Sequence, residues 1–199
     1  AEERRSISIQ LGLRTMRVFG ISALSHDASI SVVEDGEILF AAHSERYSRV
    51  KNDAFLNQAI VDEALSFGAP DVVAWYERPL IKKTRQAYAG QWQNVWDRNA
   101  MPRRHLAKFG LDPFPLEYVS HHESHAYAGL LTSRFEDAIV IIMDAIGEWS
   151  TFSIGEFRNG ELRWIREQVY PHSLGLLYTA FTKRCGCKPN EEEYIVMGM

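Results

Sequence analysis

Residues 16–45 read MRVFGISALSHDASISVVEDGEILFAAHSE, and this stretch decides the fold. Met16–Ser22 and Ala28–Glu34 alternate and are rich in β formers, so both are expected to be strands. Asp35-Gly36 tolerates the positive φ of a type I′ turn, and Glu37–Glu45 is the expected return strand. Working outward, Arg46–Asp53 reads as a mixed-charge loop and Asn57–Phe67 as a helix stopped by Gly68. Asp71–Glu77 reads as a short buried strand, and Leu80–Leu106 as one or two helices with Pro102 restarting the second. Pro115–Ser120 is the next expected strand, running straight into a helix over 121–133. Asp137–Ala145 reads as a fully buried strand. A second hairpin turns on Arg158-Asn159-Gly160, and Leu174–Cys185 is a last helix.

Three strands, then alternating helices and strands, then another hairpin predict an α/β domain with a mixed sheet and flanking helices. The order matches the actin/sugar-kinase/heat-shock ATPase (ASKHA) superfold. That fold has two such halves, and this chain would hold one and the start of the other.

Of 199 residues, 46% are hydrophobic and 12% aromatic, enough for a sizeable core and against wholesale disorder. A net charge of −4 does not suggest a basic nucleic-acid binder, so nucleic acid is not expected as a partner. Cys185 and Cys187 are too few for a disulfide framework; they read as small buried residues in a reducing cytoplasm. No apolar run approaches the ~18 residues that span a bilayer, so no membrane is expected. Residues 1–15 lack the charged-then-apolar order of a signal peptide and are read as an N-terminal extension before a natural start at Met16. The closing EEEYIVMGM is apolar rather than a solvated tail, so residues 16–199 are read as a domain whose remainder follows.

The strongest chemical signal is His121-His122-Glu123-Ser124-His125. On a helix His121 and His125 share a face one turn apart and can chelate one ion. In zinc proteases with a similar pair, the general base follows the first histidine. Here that place is His122, so a protease is disfavoured. Asp144 closes the apolar strand AIVIIMD, and such a carboxylate is costly to bury unless paired or bound to a cation. The bland alternatives are structural histidines and a turn-capping aspartate; three histidines in five residues at a strand end weigh against the first. Two histidines and a carboxylate leave coordination positions open and suit iron, zinc or manganese alike. Gly147 would let backbone amides approach a ligand. Ser25-His26-Asp27-Ala28-Ser29 lies at the tip of the first hairpin, where His26 could act as a general base; a polar turn is equally compatible. Arg46, Arg49 and Lys51 could pair with phosphate or form an ordinary solvated loop.

GISALSHDASISVVEDGEI, SERYSRVK, VSHHESHAYAG, MDAIGEWST, SLGLLYTAFT and EEYIVMGM occur in the order found in the O-carbamoyltransferases of antibiotic and nodulation-factor biosynthesis, which this sequence resembles over most of residues 16–199. The resemblance implies a domain similar to the tRNA threonylcarbamoyl-transferases, binding Fe(2+) through His121, His125 and Asp144, with a further ligand later in the chain. It implies His26 as the base on the acceptor hydroxyl and Lys51 as a holder of carbamoyl adenylate, with Asp27, Gly147 and Glu148 beside the substrate. A YrdC-like domain, not present in these residues, would make carbamoyl adenylate from carbamoyl phosphate and ATP. The expected activity is carbamoyl transfer to the hydroxyl of a small-molecule acceptor. The alternatives are a tRNA threonylcarbamoyl-transferase-like enzyme and an inactive metal-binding fragment. The final VMGM departs from the family's VMGLAPYG.

Overall fold

The computed structural model describes residues 15–199; the reading of residues 1–15 as an extension lies, but for Thr15, outside them. Strands β1 (Arg17–Ser22), β2 (Ser29–Glu34) and β3 (Glu37–His43) form the expected meander. Asp35 at φ 49° and Gly36 at φ 87° make the tight turn between β2 and β3. Strands β4 (Val72–Trp75) and β5 (Leu116–Tyr118) complete a five-stranded mixed sheet ordered β3-β2-β1-β4-β5. Within it β1 pairs with β4, and β4 with β5, in parallel. The fold class is therefore the α/β one expected.

One face of this sheet packs on helix α2 (Gln58–Ser66), whose Asn57 side chain caps the Ile60 amide. Phe19, Ile21, Ile30, Val32, Val73 and Trp75 from the strands and Ile60, Val61 and Ala64 from α2 are buried in one core. Period-2 and period-3.6 apolar spacing meet there, which is why these segments take these forms.

Four readings are corrected. Residues 46–48 belong to a short helix α1 (Glu45–Ser48), not a loop; it ends at Arg49 in the left-handed region. The region 80–106 holds three helices, α3 (Pro79–Tyr88), α4 (Trp92–Trp96) and α5 (Pro102–Leu106), with Pro102 opening the last as expected. The strand over 137–145 is not fully buried. It is β6 (Ala138–Gly147), the edge of a separate antiparallel sheet ordered β6-β7-β8 with β7 (Ser150–Arg158) and β8 (Glu161–Val169). Ile142 is buried under Ala126 and Leu130 of helix α6 (His121–Thr132), while Ile139, Ile141 and Met143 are exposed on the other face. A continuous apolar run cannot reveal that only one face of its sheet is covered. Finally, the cysteines are not both buried: Cys185 is exposed and Cys187 half-buried, both free, beyond helix α7 (Leu174–Arg184). Residues 193–198 form helix α8 (Glu193–Gly198), and no helix of the described residues is long and apolar enough to cross a membrane.

Candidate metal centre

The parallel strands deliver their carboxyl ends to one edge, where open α/β sheets collect ligands. β1 leads into the loop bearing His26, β4 into Tyr76-Glu77, and β5 into the first turn of α6. That turn is secured by Glu123, whose carboxylate accepts from the Ser120 hydroxyl at 2.6 Å and the Ser120 amide at 3.3 Å. The spacing Ser120-x-x-Glu123 carries this signal in the sequence, so the acid between the histidines braces the helix.

His121 and His125 meet as the helical spacing predicts, Nε2 to Nε2 at 3.0 Å. Asp144 Oδ2 lies 3.1 Å from His121 Nε2. One donor atom from each of the three residues falls within 4.8 Å of the others. His122 leaves the group: it is buried, and its Nδ1 lies 2.6 Å from the Ser153 hydroxyl.

Asp144 reaches α6 because β6 bulges. Met143 pairs with Phe152 and Gly147 with Ser150, so Asp144, Ala145 and Ile146 face a single partner residue. The bulge is held from beneath by the Ser173-Leu174-Gly175 segment. Ser173 caps α7 by accepting from the Leu176 amide at 3.0 Å, and its hydroxyl donates to the Ala145 carbonyl at 2.7 Å. A Cβ on Gly175 would fall 2.6 Å from Ala145 Cα, so only glycine lets α7 approach this closely. Gly147 acts in the same way toward α6: its missing side chain leaves space for the His121 ring.

Glu77, which the sequence reading did not single out, is 7% exposed and faces His121 Nδ1 at 4.0 Å while accepting from Lys82 Nζ at 2.8 Å. His121 Nδ1 is buried without a hydrogen-bond partner among the described residues, and the carboxylate at 4.0 Å is the acidic group facing it. On the other side of the ring, the His121 and His125 Nε2 atoms and the Asp144 carboxylate bring three potential ligand atoms together. Asp144 Oδ2 is buried without a well-formed hydrogen bond. A cation among the three would relieve this, so the donor set fits a divalent metal.

Electrostatics agree in direction. Burial pushes the Asp144 carboxyl up, but the His121 contact, the Ala145 amide and nearby His125 outweigh it and hold it below the usual range. Loss of water around the ring, then the neighbouring His121, pushes His125 below the ordinary imidazole range. Both residues are thus held in their ligating forms near neutrality.

The other expected site residues are placed unevenly. His26 sits on the β1–β2 loop, 2.8 Å from the Asp27 carboxylate and close enough to His125 for their charges to interact. Lys51 is exposed on the turn after α1 and makes no ion pair among the described residues. Glu148 is 4% exposed and committed within the chain: Arg78 Nη2 donates to it at 2.6 Å, as does the Arg78 amide. Arg85 Nε donates to the Glu148 carbonyl at 3.1 Å. This clamp ties the residue after Glu77 to the residue after Gly147, bracing the site across the two sheets. Residues 70 positions apart leave no sequence signal for it.

The carbamoyltransferase N-terminus family model matches residues 75–199. An uncharacterized protein of Synechocystis sp. is 33% identical over 208 residues, covering 92% of this chain and 34% of its own length. Nodulation protein NolNO of Sinorhizobium fredii is 27% identical over 192 residues, covering 87% of this chain and 27% of its own. The chain thus spans about a third of the length of the curated relatives it matches. Among solved structures, YeaZ from Pseudomonas aeruginosa aligns over 78% of this chain and 68% of its own at 15% identity and a TM-score of 0.41.

Proposed function

Since the chain belongs to the carbamoyltransferase N-terminus family, we propose that it forms the metal site for moving a carbamoyl group from carbamoyl adenylate to an acceptor hydroxyl in the biosynthesis of a small molecule. The observation that carries this is the convergence of His121, His125 and Asp144, whose donor atoms lie within 4.8 Å of one another at the strand ends. Those three residues would hold the metal, Fe(2+) or in its place zinc or manganese, and when bound it supplies Lewis-acid polarisation of the carbamoyl carbonyl.

His26, exposed to an incoming ligand and oriented by Asp27, takes the acceptor proton. The acceptor oxygen bonds to the carbamoyl carbon, the bond from that carbon to the phosphate oxygen breaks, and AMP leaves with the electron pair. Lys51 offsets phosphate charge at the departing group. Gly147 keeps His121 in place against β6, and Glu148 braces that edge through Arg78. Carbamoyl adenylate itself would come from carbamoyl phosphate and ATP in a YrdC-like part of a longer protein.

Metal analysis of the purified chain tests the reading. About one metal ion per chain is expected, falling to near zero in His121→Ala and His125→Ala; unchanged stoichiometry would sink the ligand assignment. In the longer protein, His26→Ala should abolish transfer and leave adenylate binding intact. Equal loss of both would remove the base role.

A further inference from the structure

A metal-binding imidazole is ordinarily oriented by a hydrogen bond at its far ring nitrogen. His121 Nδ1 has no such bond among the described residues. Packing takes that part instead. Gly147 leaves space for the ring, and the Tyr76 ring lies against it, centroid to centroid at 5.5 Å and tilted by 59°.

Tyr76 can hold an orientation because its own backbone is tied on two sides. It follows β4, and its amide donates to the Ile21 carbonyl of β1 at 3.1 Å. Its carbonyl accepts from the Ser124 hydroxyl at 2.8 Å. Ser124 stands on α6 between the two candidate ligand histidines. One residue thus joins two strand ends to the histidine-bearing turn.

The Tyr76 hydroxyl reaches further. It faces the Ser25 and Glu77 side chains closely enough to interact with both. These two residues also line a cavity of about 270 Å³ that opens beside the centre. Ser25 precedes His26 in a loop with left-handed backbone on either side, Leu24 at φ 71° and Asp27 at φ 47°. A leucine keeps such a conformation only where its surroundings enforce it. The contact from Tyr76 falls between these two positions. A phenylalanine would fill the same space against His121 and lose this contact, so ring and hydroxyl have separable parts.

We propose that Tyr76 is the positioning residue of this centre: its ring aims the His121 imidazole at His125 and Asp144, and its hydroxyl steadies the turn that carries His26. The second part rests on the carbamoyl-transfer reading, which makes His26 the base; the first needs only the metal site.

Two variants test it. Tyr76→Leu removes ring and hydroxyl, and Tyr76→Phe the hydroxyl alone. The Co(II) affinity of the chain, read by chelator competition, should fall roughly tenfold or more in Tyr76→Leu and keep its wild-type value in Tyr76→Phe. The visible absorption of bound Co(II), which follows the ligand arrangement, should change only in Tyr76→Leu. In ¹⁵N spectra of the metal-free chain, Tyr76→Phe should shift the Ser25 and His26 amides and leave those of His121 and His125 in place. In the longer protein, Tyr76→Phe should lower kcat about tenfold, the scale of one hydrogen bond, at unchanged KM for carbamoyl phosphate.

Wild-type affinity and absorption in Tyr76→Leu would overturn the role of the ring, and so would any loss of affinity in Tyr76→Phe. The second outcome decides even if circular dichroism shows that Tyr76→Leu does not fold. Unmoved Ser25 and His26 amides, or a raised KM in place of a lowered kcat, would overturn the role of the hydroxyl. A wild-type chain that binds no Co(II) would remove the ligand assignment itself, whereas variants matching a Co(II)-binding wild type would remove only the positioning.

Discussion

The imidazole of His121 rests directly against Gly147, so closely that a Cβ at position 147 would fall 2.6 Å from His121 Cγ. The candidate ligand on α6 and the end of the strand that supplies Asp144 are thus packed with no room for a methyl group. Gly147→Ala should therefore push the His121 ring out of line with His125 and Asp144. Metal affinity should fall about tenfold or more, as when groups supporting a ligand are lost. Circular dichroism should show an unchanged fold, and a competition assay with a chromogenic chelator reads the affinity. Wild-type affinity would mean that the ring has slack the structure does not show.

The Arg78–Glu148 clamp should be asymmetric. Glu148 is 4% exposed on its side chain and Arg78 50%. Removing Arg78 leaves a buried carboxylate short of its partner, whereas removing Glu148 frees a guanidinium that water can reach. Arg78→Ala should cost about 3 kcal/mol and Glu148→Ala less, measured by urea unfolding. Equal costs would indicate that the pair is wetter than its geometry implies.

Acid should weaken the sheet core through His105. It is 2% exposed, edge-on to Trp75 and Phe109, and its Nε2 accepts from the Leu56 amide at 3.4 Å. Burial, then nearby Lys108, pushes it down to about 4 from an ordinary 6.5. The unfolded chain therefore binds the proton first as pH falls. Stability from the neutral ring is fully present above pH 6.5 and is lost as the pH drops toward 4. The loss should be on the order of 2 kcal/mol, less than the whole shift because the surroundings of a charged ring reorganise to accommodate it. Unfolding midpoints across that window should fall less steeply in His105→Phe than in wild type; parallel curves would discard the assignment.

Ser173 joins the cap of α7 to the bulge that bears Asp144. Ser173→Ala should cost about 1 kcal/mol of stability from the lost cap. It should also weaken metal binding, because the Ala145 carbonyl loses its tether. A stability loss with unchanged metal affinity would separate the cap from the site.

The amino-acid sequence by itself determined the elements and the pairing that depends on short spacing. Alternation in 16–45 with Asp35-Gly36 dictates the meander, and the four-residue step from His121 to His125 dictates a two-imidazole face once the helix forms. Such features are set by local backbone geometry, which neighbouring residues impose on one another. The tertiary structure alone decided the rest. It bulged β6 so that Asp144 turns toward α6, sent His122 into β7, left the outer face of β6 bare, and bound Glu148 to Arg78. It also placed Glu77 behind His121 and opened the cavity beside it. Each of these depends on which surfaces of distant segments meet, and no spacing along the chain encodes that contact.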